Sequence, residues 1–360
     1  METYLVGGAV RNRLLGLPVF ERDYVVVGSS SDEMKRLGFR SVGKDFPVFL
    51  HPRTGDEYAL ARTERKTGRG HTDFECETDA VTLEQDLLRR DLTINAIAQD
   101  ESGNLIDPWG GIADLDAGIL RHVSAAFSED PLRVLRVARF AALLSHLGFR
   151  VAPETLALMR EISTPDELGT LSTERVWAEI DKALATDEPA TFFDVLDGVG
   201  AGQVLWPEIT RSGIAVLAAL QGKVPEAVQR FALVLHGLGA AQAETICARL
   251  RSPRKTRDFT RLSGELYDDW RREPELTADE IVDLLRRADA FRQPERFVAL
   301  STLFDRLAIH HGHHSHHAVW LRHLDTARSI TARDVAPGLE GPQVGVAIRQ
   351  RQVEAIDGTR

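Results

Sequence analysis

Cysteine is nearly missing from this chain. Cys76 and Cys247 are the two thiols in 360 residues. They are too few and too far apart for a disulfide framework or a cysteine metal site, which fits a reducing, cytoplasmic setting. There is no long apolar run either. The first one, at residues 4–6, is broken by Gly7, Gly8 and then Arg11, so nothing reads as a signal peptide or a membrane span. A surplus of positive charge is missing as well. The formal net charge of −10 argues against a protein coated evenly with nucleic acid, but phosphate contacts depend on local basic clusters rather than on the total. What is there is an ordinary globular composition, 43% apolar and 27% charged, in a chain long enough for two or more domains with their own cores.

Residues 4–29 read as strand, double-glycine turn, helix, loop, strand. The apolar residues 4–6 meet Gly7 and Gly8; residues 9–15 have helical spacing and stop at Gly16 and Pro18. A β-branched run at 24–27 follows Glu21 and Asp23 and ends at Gly28. Strand side chains alternate faces, so acids at 21 and 23 point the same way. Two carboxylates on one face make a harbour for Mg²⁺, a hard ion that takes oxygen ligands and keeps phosphates in its shell. An acid-x-acid triplet alone is more often a solvated strand start. The glycines ahead of it, where backbone amides approach a phosphate, change that balance toward a metal–nucleotide site.

Further along, strands are expected at 46–50 and 57–61, and Glu57 is a candidate third carboxylate. Between residues 62 and 69 lie Arg62, Arg65, Lys66 and Arg69, either a solvated loop or a strap near triphosphate or RNA. Residues 86–96 (DLLRRDLTINA) place Arg89, Arg90 and Asp91 four residues ahead of Asn95, mixing phosphate-grade donors with groups that grip ribose hydroxyls. From residue 124 the pattern turns helical. Asp130 is the expected N-cap, with Pro131 in the first turn. Arg133, Arg136 and Arg139 recur every third residue as a basic stripe opposite Leu132 and Leu135.

These strings resemble the polymerase-β-like nucleotidyltransferases, and specifically the class II CCA-adding enzymes and bacterial poly(A) polymerases: densely over residues 1–185, loosely beyond. The resemblance implies an α+β fold, with a nucleotidyltransferase head (1–123), a helical neck that recognises the base (124–185) and a helical body and tail (186–360). It implies template-independent addition of C, C and A to a tRNA 3′ end from CTP and ATP. By the family pattern Glu21 and Asp23 hold Mg²⁺, Gly8 and Arg11 steady the triphosphate, and Arg90 contacts sugar and phosphate. Asp130 and Arg133 read the base, since an aspartate accepts and an arginine donates; Arg136 and Arg139 sit near the triphosphate. The stretch 174–179 (ERVWAE) resembles the motif whose Glu and Arg brace that helix.

Two positions depart from the pattern: Glu21 stands where the family usually has Asp, and Asn12 replaces a common Asp. A poly(A) polymerase or a partial CC- or A-adding enzyme shares every motif named, and a catalytically inactive RNA-binding relative is a remote alternative. Arg249, Arg251, Arg254, Lys255, Arg257 and Arg261 form either a solvated run or, preferably, a patch for the tRNA backbone. Some relatives carry an HD phosphohydrolase domain in this region. Its nearest echo, Leu235-His236-Gly237, lacks the Asp after the His, so that activity is expected to be absent. Residues 310–317 hold six of the twelve histidines and read as an exposed, adventitiously chelating loop.

Overall fold

The structure, a computed structural model, describes residues 1–42, 48–66, 74–78, 80–335 and 341–359, without the side chains of 64–66 and 74–77. Residues 46–47 of the strand expected at 46–50, and residues 67–70 of the basic stretch, lie outside that set. The chain divides into two compact units, Met1–Glu208 and Ile209–Arg360.

The first unit begins with β1 (Glu2–Val6), α1 (Gly8–Leu14), β2 (Asp23–Val27), α2 (Ser31–Arg36), β3 (Arg40–Val42), β4 (Val48–Leu50) and β5 (Glu57–Leu60). A hairpin of β6 (Thr63–Lys66) and β7 (Phe74–Glu77) forms its own small sheet; α3 (Leu83–Leu88), β8 (Ala98–Gln99) and β9 (Leu105–Ile106) follow. The main sheet has the order β3-β4-β5-β2-β1-β8-β9. Its neighbours are antiparallel except β2 and β5, whose parallel pairing sets Asp23 beside Glu57. Successive residues of β2 face opposite sides. Val25 packs with Val6, Leu83, Leu87 and Ala98, while Val26 packs with Met34, Phe49 and Leu60. Burial on both faces accounts for the continuous β-branched run.

Gly111 opens α4 (Gly111–Ala117), and its Cα lies so close to the preceding turn that a Cβ would fall 2.2 Å from the Thr93 carbonyl oxygen. A short parallel pair joins Ile119–Leu120 to Arg150–Val151, and the rest of the unit is helical: α5 (Leu132–Leu144), α6 (Pro153–Ile162), α7 (Pro165–Leu168), α8 (Thr173–Leu184), α9 (Ala190–Gly198) and α10 (Ala201–Leu205). The expected cap of α5 forms: Asp130 Oδ1 accepts from the Leu132 backbone N–H at 3.1 Å.

The second unit is helical: α11 (Arg211–Leu220), α12 (Ala227–Val234), α13 (Ala240–Arg249), α14 (Arg254–Arg271), α15 (Ala278–Arg287), α16 (Pro294–His310), α17 (His317–Ser329) and α18 (Pro342–Asp357). Trp270 and Trp320 are fully buried at its centre. Both indole N–H groups are satisfied, to Ser301 Oγ at 3.1 Å and to the Trp270 carbonyl at 2.9 Å, as buried indoles require. The basic stretch 249–261 runs from the end of α13 into the first half of α14.

Candidate functional site

A cavity of about 1010 Å³ opens in the first unit, and the residues marked for metal and nucleotide reach its wall: Gly8 and Arg11 from α1, Glu21 and Asp23 at the entry to β2, Arg90 after α3, Asp130 just ahead of α5, and Arg133, Arg136 and Arg139 along it. Residues 8 to 139 thus meet in one place because β1 and β2 are central strands and α5 starts at the same end.

The acidic pair comes together differently from expectation. The strand starts at Asp23, so Glu21 lies ahead of it and strand alternation is not what aligns the two. They meet because the loop from α1 delivers Glu21 to the cavity wall. Burial raises the Asp23 pKa above the ordinary carboxylate value; Arg90 works against this and Glu21 adds to it. A carboxylate disfavoured by burial and by a like charge is relieved by a cation. Glu57 lines the same cavity, but among the described residues no three His, Cys, Asp or Glu side chains are grouped to hold a metal ion. A two-carboxylate site suits Mg²⁺, which completes its shell with water and substrate phosphates.

Opposite the acids stands a wall of cations. Asp86 is fully buried and pairs with Arg89 at 2.9 Å and Arg90 at 3.2 Å. Arg90 Nε and Arg175 Nη1 are buried with no hydrogen-bond partner, donors of the kind a phosphate or carboxylate satisfies. Gly7, at φ 69°, occupies the left-handed region before α1, and a Cβ there would stand 3.2 Å from Arg90 Nη1. The tight approach of this turn therefore requires glycine. Arg11 is buried; its Nη1 donates to Asn95 Oδ1 at 2.7 Å and its Nε and Nη2 donate to Asn12 Oδ1. Burial brings its pKa down to about 10, with Asp91 opposing and Arg139 contributing, so it stays charged at neutral pH.

Asp91, Asn95 and Asn12 were marked without their partners, and Phe140 was not marked at all. Asp91 takes hydrogen bonds from Leu92 N at 2.9 Å, Asn95 Nδ2 at 3.1 Å and Arg136 Nε at 2.7 Å. Asn95, read as a group able to grip ribose hydroxyls, lines the cavity and is engaged by Arg11 through Oδ1 and by Asp91 through Nδ2. Asn12 accepts from Arg11 and donates through Nδ2 to the Pro18 carbonyl at 2.9 Å, a donation an aspartate could not make. The Phe140 ring lies against the guanidiniums of Arg139 at 4.2 Å, Arg11 at 5.1 Å and Arg136 at 5.9 Å, so one aromatic ring contacts three cations of the wall. Its place beside Arg139 and four residues after Arg136 was the available signal.

The neck motif braces this wall. Arg175 on α8 binds Asp130 Oδ2 at 2.7 Å, and Glu179 on the same helix binds Arg139 Nε at 2.6 Å. Arg133 is buried and donates to the carbonyls of Ala126 at 2.8 Å and Arg89 at 2.6 Å. Asp130 and Arg133 stand one helical turn apart, an acceptor and a donor at fixed positions on the cavity wall.

Comparison with known proteins agrees with this geometry. Residues 3–121 match the family described as the Poly A polymerase head domain, and residues 148–212 the one described as a probable RNA and SrmB-binding site of polymerase A. The chain is 46% identical over 361 residues to the CCA-adding enzyme of Pseudomonas putida (strain W619), covering 99% of this chain and 98% of that one. It belongs to the CCA-adding enzyme family. Within the same family, the Multifunctional CCA protein of Pseudomonas putida (strain KT2440) is 47% identical over 366 residues, covering 99% of both chains. The solved structure of the Bacillus stearothermophilus CCA-adding enzyme in complex with CTP has a TM-score of 0.74 at 24% identity, over 99% of this chain and 89% of that one. At that identity the likeness speaks for the fold: an α+β nucleotidyltransferase head followed by helices. Among the described residues no helix is long and apolar enough to cross a membrane.

Proposed function

We propose that this chain adds C, C and A without a nucleic-acid template to the 3′ end of tRNA, drawing on CTP and ATP, in the cytoplasm. The observation that carries the reading is the single cavity in which an acidic pair faces a cationic wall, with an acceptor–donor pair at the start of α5. Residues 1–123 act as the catalytic head, 124–185 as the neck that selects the base, and 186–360 as body and tail for tRNA.

Glu21 and Asp23 are the residues to hold Mg²⁺, which when bound lowers the pKa of the primer hydroxyl and offsets charge on the triphosphate. Arg90, with its unpartnered Nε, and Arg11 bind the sugar–phosphate part of the nucleotide, and Gly8 lets the backbone approach it. Arg136 and Arg139 add positive charge nearby, each held by a carboxylate of the protein. Asp130, fixed by Arg175, presents an acceptor to the base edge, and Arg133 presents a donor. The primer oxygen bonds to the α-phosphorus as the α–β bridge breaks, and pyrophosphate leaves. Glu21 retains the family's charge with one more methylene. The HD-type phosphohydrolase activity is absent: Gly237 replaces the needed acid and sits at φ 90°, where an aspartate would be strained.

The test is incubation of the pure protein with tRNA lacking its 3′ end, Mg²⁺, and CTP, ATP or both. Two C residues are expected with CTP alone, a full CCA with both, and neither after Asp23→Asn. No incorporation by the unaltered protein refutes the enzyme reading, and extension past one A makes it a poly(A) polymerase. Turnover of 2′,3′-cyclic phosphates with Ni²⁺ or Mg²⁺ overturns the predicted lack of phosphohydrolase activity.

A further inference from the structure

Two stretches unconnected with nucleotide transfer, the string around His236 and the His-rich residues 310–317, meet in the second unit. His236 lies just past α12 and His311 caps the end of α16; their Nε2 atoms stand 3.2 Å apart and their rings stack at 27°. We infer that His236 and His311 form a chelating pair for a borderline divalent transition metal such as Zn²⁺, Ni²⁺ or Co²⁺.

The distance is the first support. Two imidazole nitrogens about 2.0–2.1 Å from one tetrahedral ion lie roughly 3.3 Å apart. Both ligands sit on well-held backbone. Gly312 takes φ 78° and His313 N donates to the Ala308 carbonyl at 2.8 Å, the closed C-terminus that fixes His311. His236 N donates to the Leu233 carbonyl, and its ring stands edge-on to Tyr267 at 5.3 Å. The Tyr267 ring in turn meets buried Phe304.

Tyr267 supplies an independent observation. Its ring packs edge-on against His236 while its hydroxyl is buried without a hydrogen-bond partner, and a buried hydroxyl in that state calls for a polar neighbour such as water. Imidazole selects Zn²⁺, Ni²⁺, Co²⁺ or Cu²⁺ over Mg²⁺, so this pair does not compete for the ion of the acidic pair. Among the described residues no third His, Cys, Asp or Glu completes the set, and water fills the remaining positions.

The experiment is isothermal titration of the untagged full chain with Ni²⁺ alone. One site of highest affinity is expected; it weakens by about tenfold or more in His236→Gln and in His311→Gln, and persists in a His313→Gln/His314→Gln double variant. CCA addition to tRNA, unchanged in all of these, reports that they are folded. His236 lies outside the His-rich stretch, so a titration unaltered in His236→Gln means chelation by residues 310–317 alone and overturns the inference. Absence of Ni²⁺ binding overturns it equally.

Discussion

Asp91→Asn is the most informative single change, because the structure makes Asp91 the joint between head and neck. The substitution keeps the shape, and the new amide oxygen still accepts from Leu92 N. Its NH₂ group, however, faces the guanidinium of Arg136, whose Nε and Nη2 both lie 2.7 Å from Oδ2. Charge-assisted hydrogen bonds are worth about 1.5–3 kcal/mol each, and removing one partner of a fully buried pair costs about 3–5 kcal/mol. Asp91 is 5% exposed at its side chain but Arg136 is 38% exposed, so water recovers part of the loss; about 2–3 kcal/mol is expected. Urea denaturation measures it.

The pH dependence is a second reading of the same joint. Burial by itself would raise the Asp91 pKa, but Arg136, Asn95 and Arg133 together hold it well below the ordinary value. A carboxyl whose pKa is depressed by folding contributes stability that is complete above the unfolded value, about 3.9, and lost as pH falls toward the folded one. The difference between unaltered protein and Asp91→Asn is therefore constant from pH 5 to 8 and shrinks below about pH 4. A difference under about 0.5 kcal/mol at pH 7, the range of ordinary surface changes, refutes the reasoning. In activity, Asp91→Asn raises KM for CTP and ATP alike, since it loosens Arg136 directly and Arg11 through Asn95 and removes no hydrogen bond of Asp130 or Arg133.

Gly111→Ala drives a Cβ to 2.2 Å from the Thr93 carbonyl and 2.8 Å from the Ile97 side chain, and is expected to destabilise by about 1–3 kcal/mol or more. Gly198→Ala, with nothing within 4 Å in α9, leaves stability unchanged or raises it by up to about 1 kcal/mol; thermal melts of the pair decide. Arg175→Gln releases Asp130 from its 2.7 Å partner at a stability cost of only about 1 kcal/mol, since both side chains keep solvent contact. Incorporation assays with mixed nucleotides then show lower efficiency and looser choice between CTP, ATP and UTP. Unaltered selection refutes the bracing role of Arg175.

Much of the site was legible before any coordinates. Glycines, acids and arginines in short strings carry their chemistry locally, and the cap of α5 by Asp130 follows from a side chain reaching its own backbone two residues on. What was not legible depends on contacts between distant strings. Asn95 was legible as an amide able to bind a hydroxyl; only the packing of α1 against the turn after α3 shows that it also joins Arg11 to Asp91. Phe140 was not marked, because the cations its ring meets include Arg11 from a distant helix.

The sequence by itself determined the α+β class, the family and the short strings whose residues line the cavity, because hydrophobic periodicity and motif spacing are properties of neighbours along the chain. The tertiary structure alone decided how the arginines are held, why Glu21 reaches Asp23 from outside the strand, and that His236 meets His311. The contacts that decide them, Arg11 with Asn95, Arg136 with Asp91, Arg139 with Glu179 and His236 with His311, join groups 40 or more residues apart, and Glu21 depends on a loop path, so the burial and pairing of charges depend on the fold rather than on spacing along the chain.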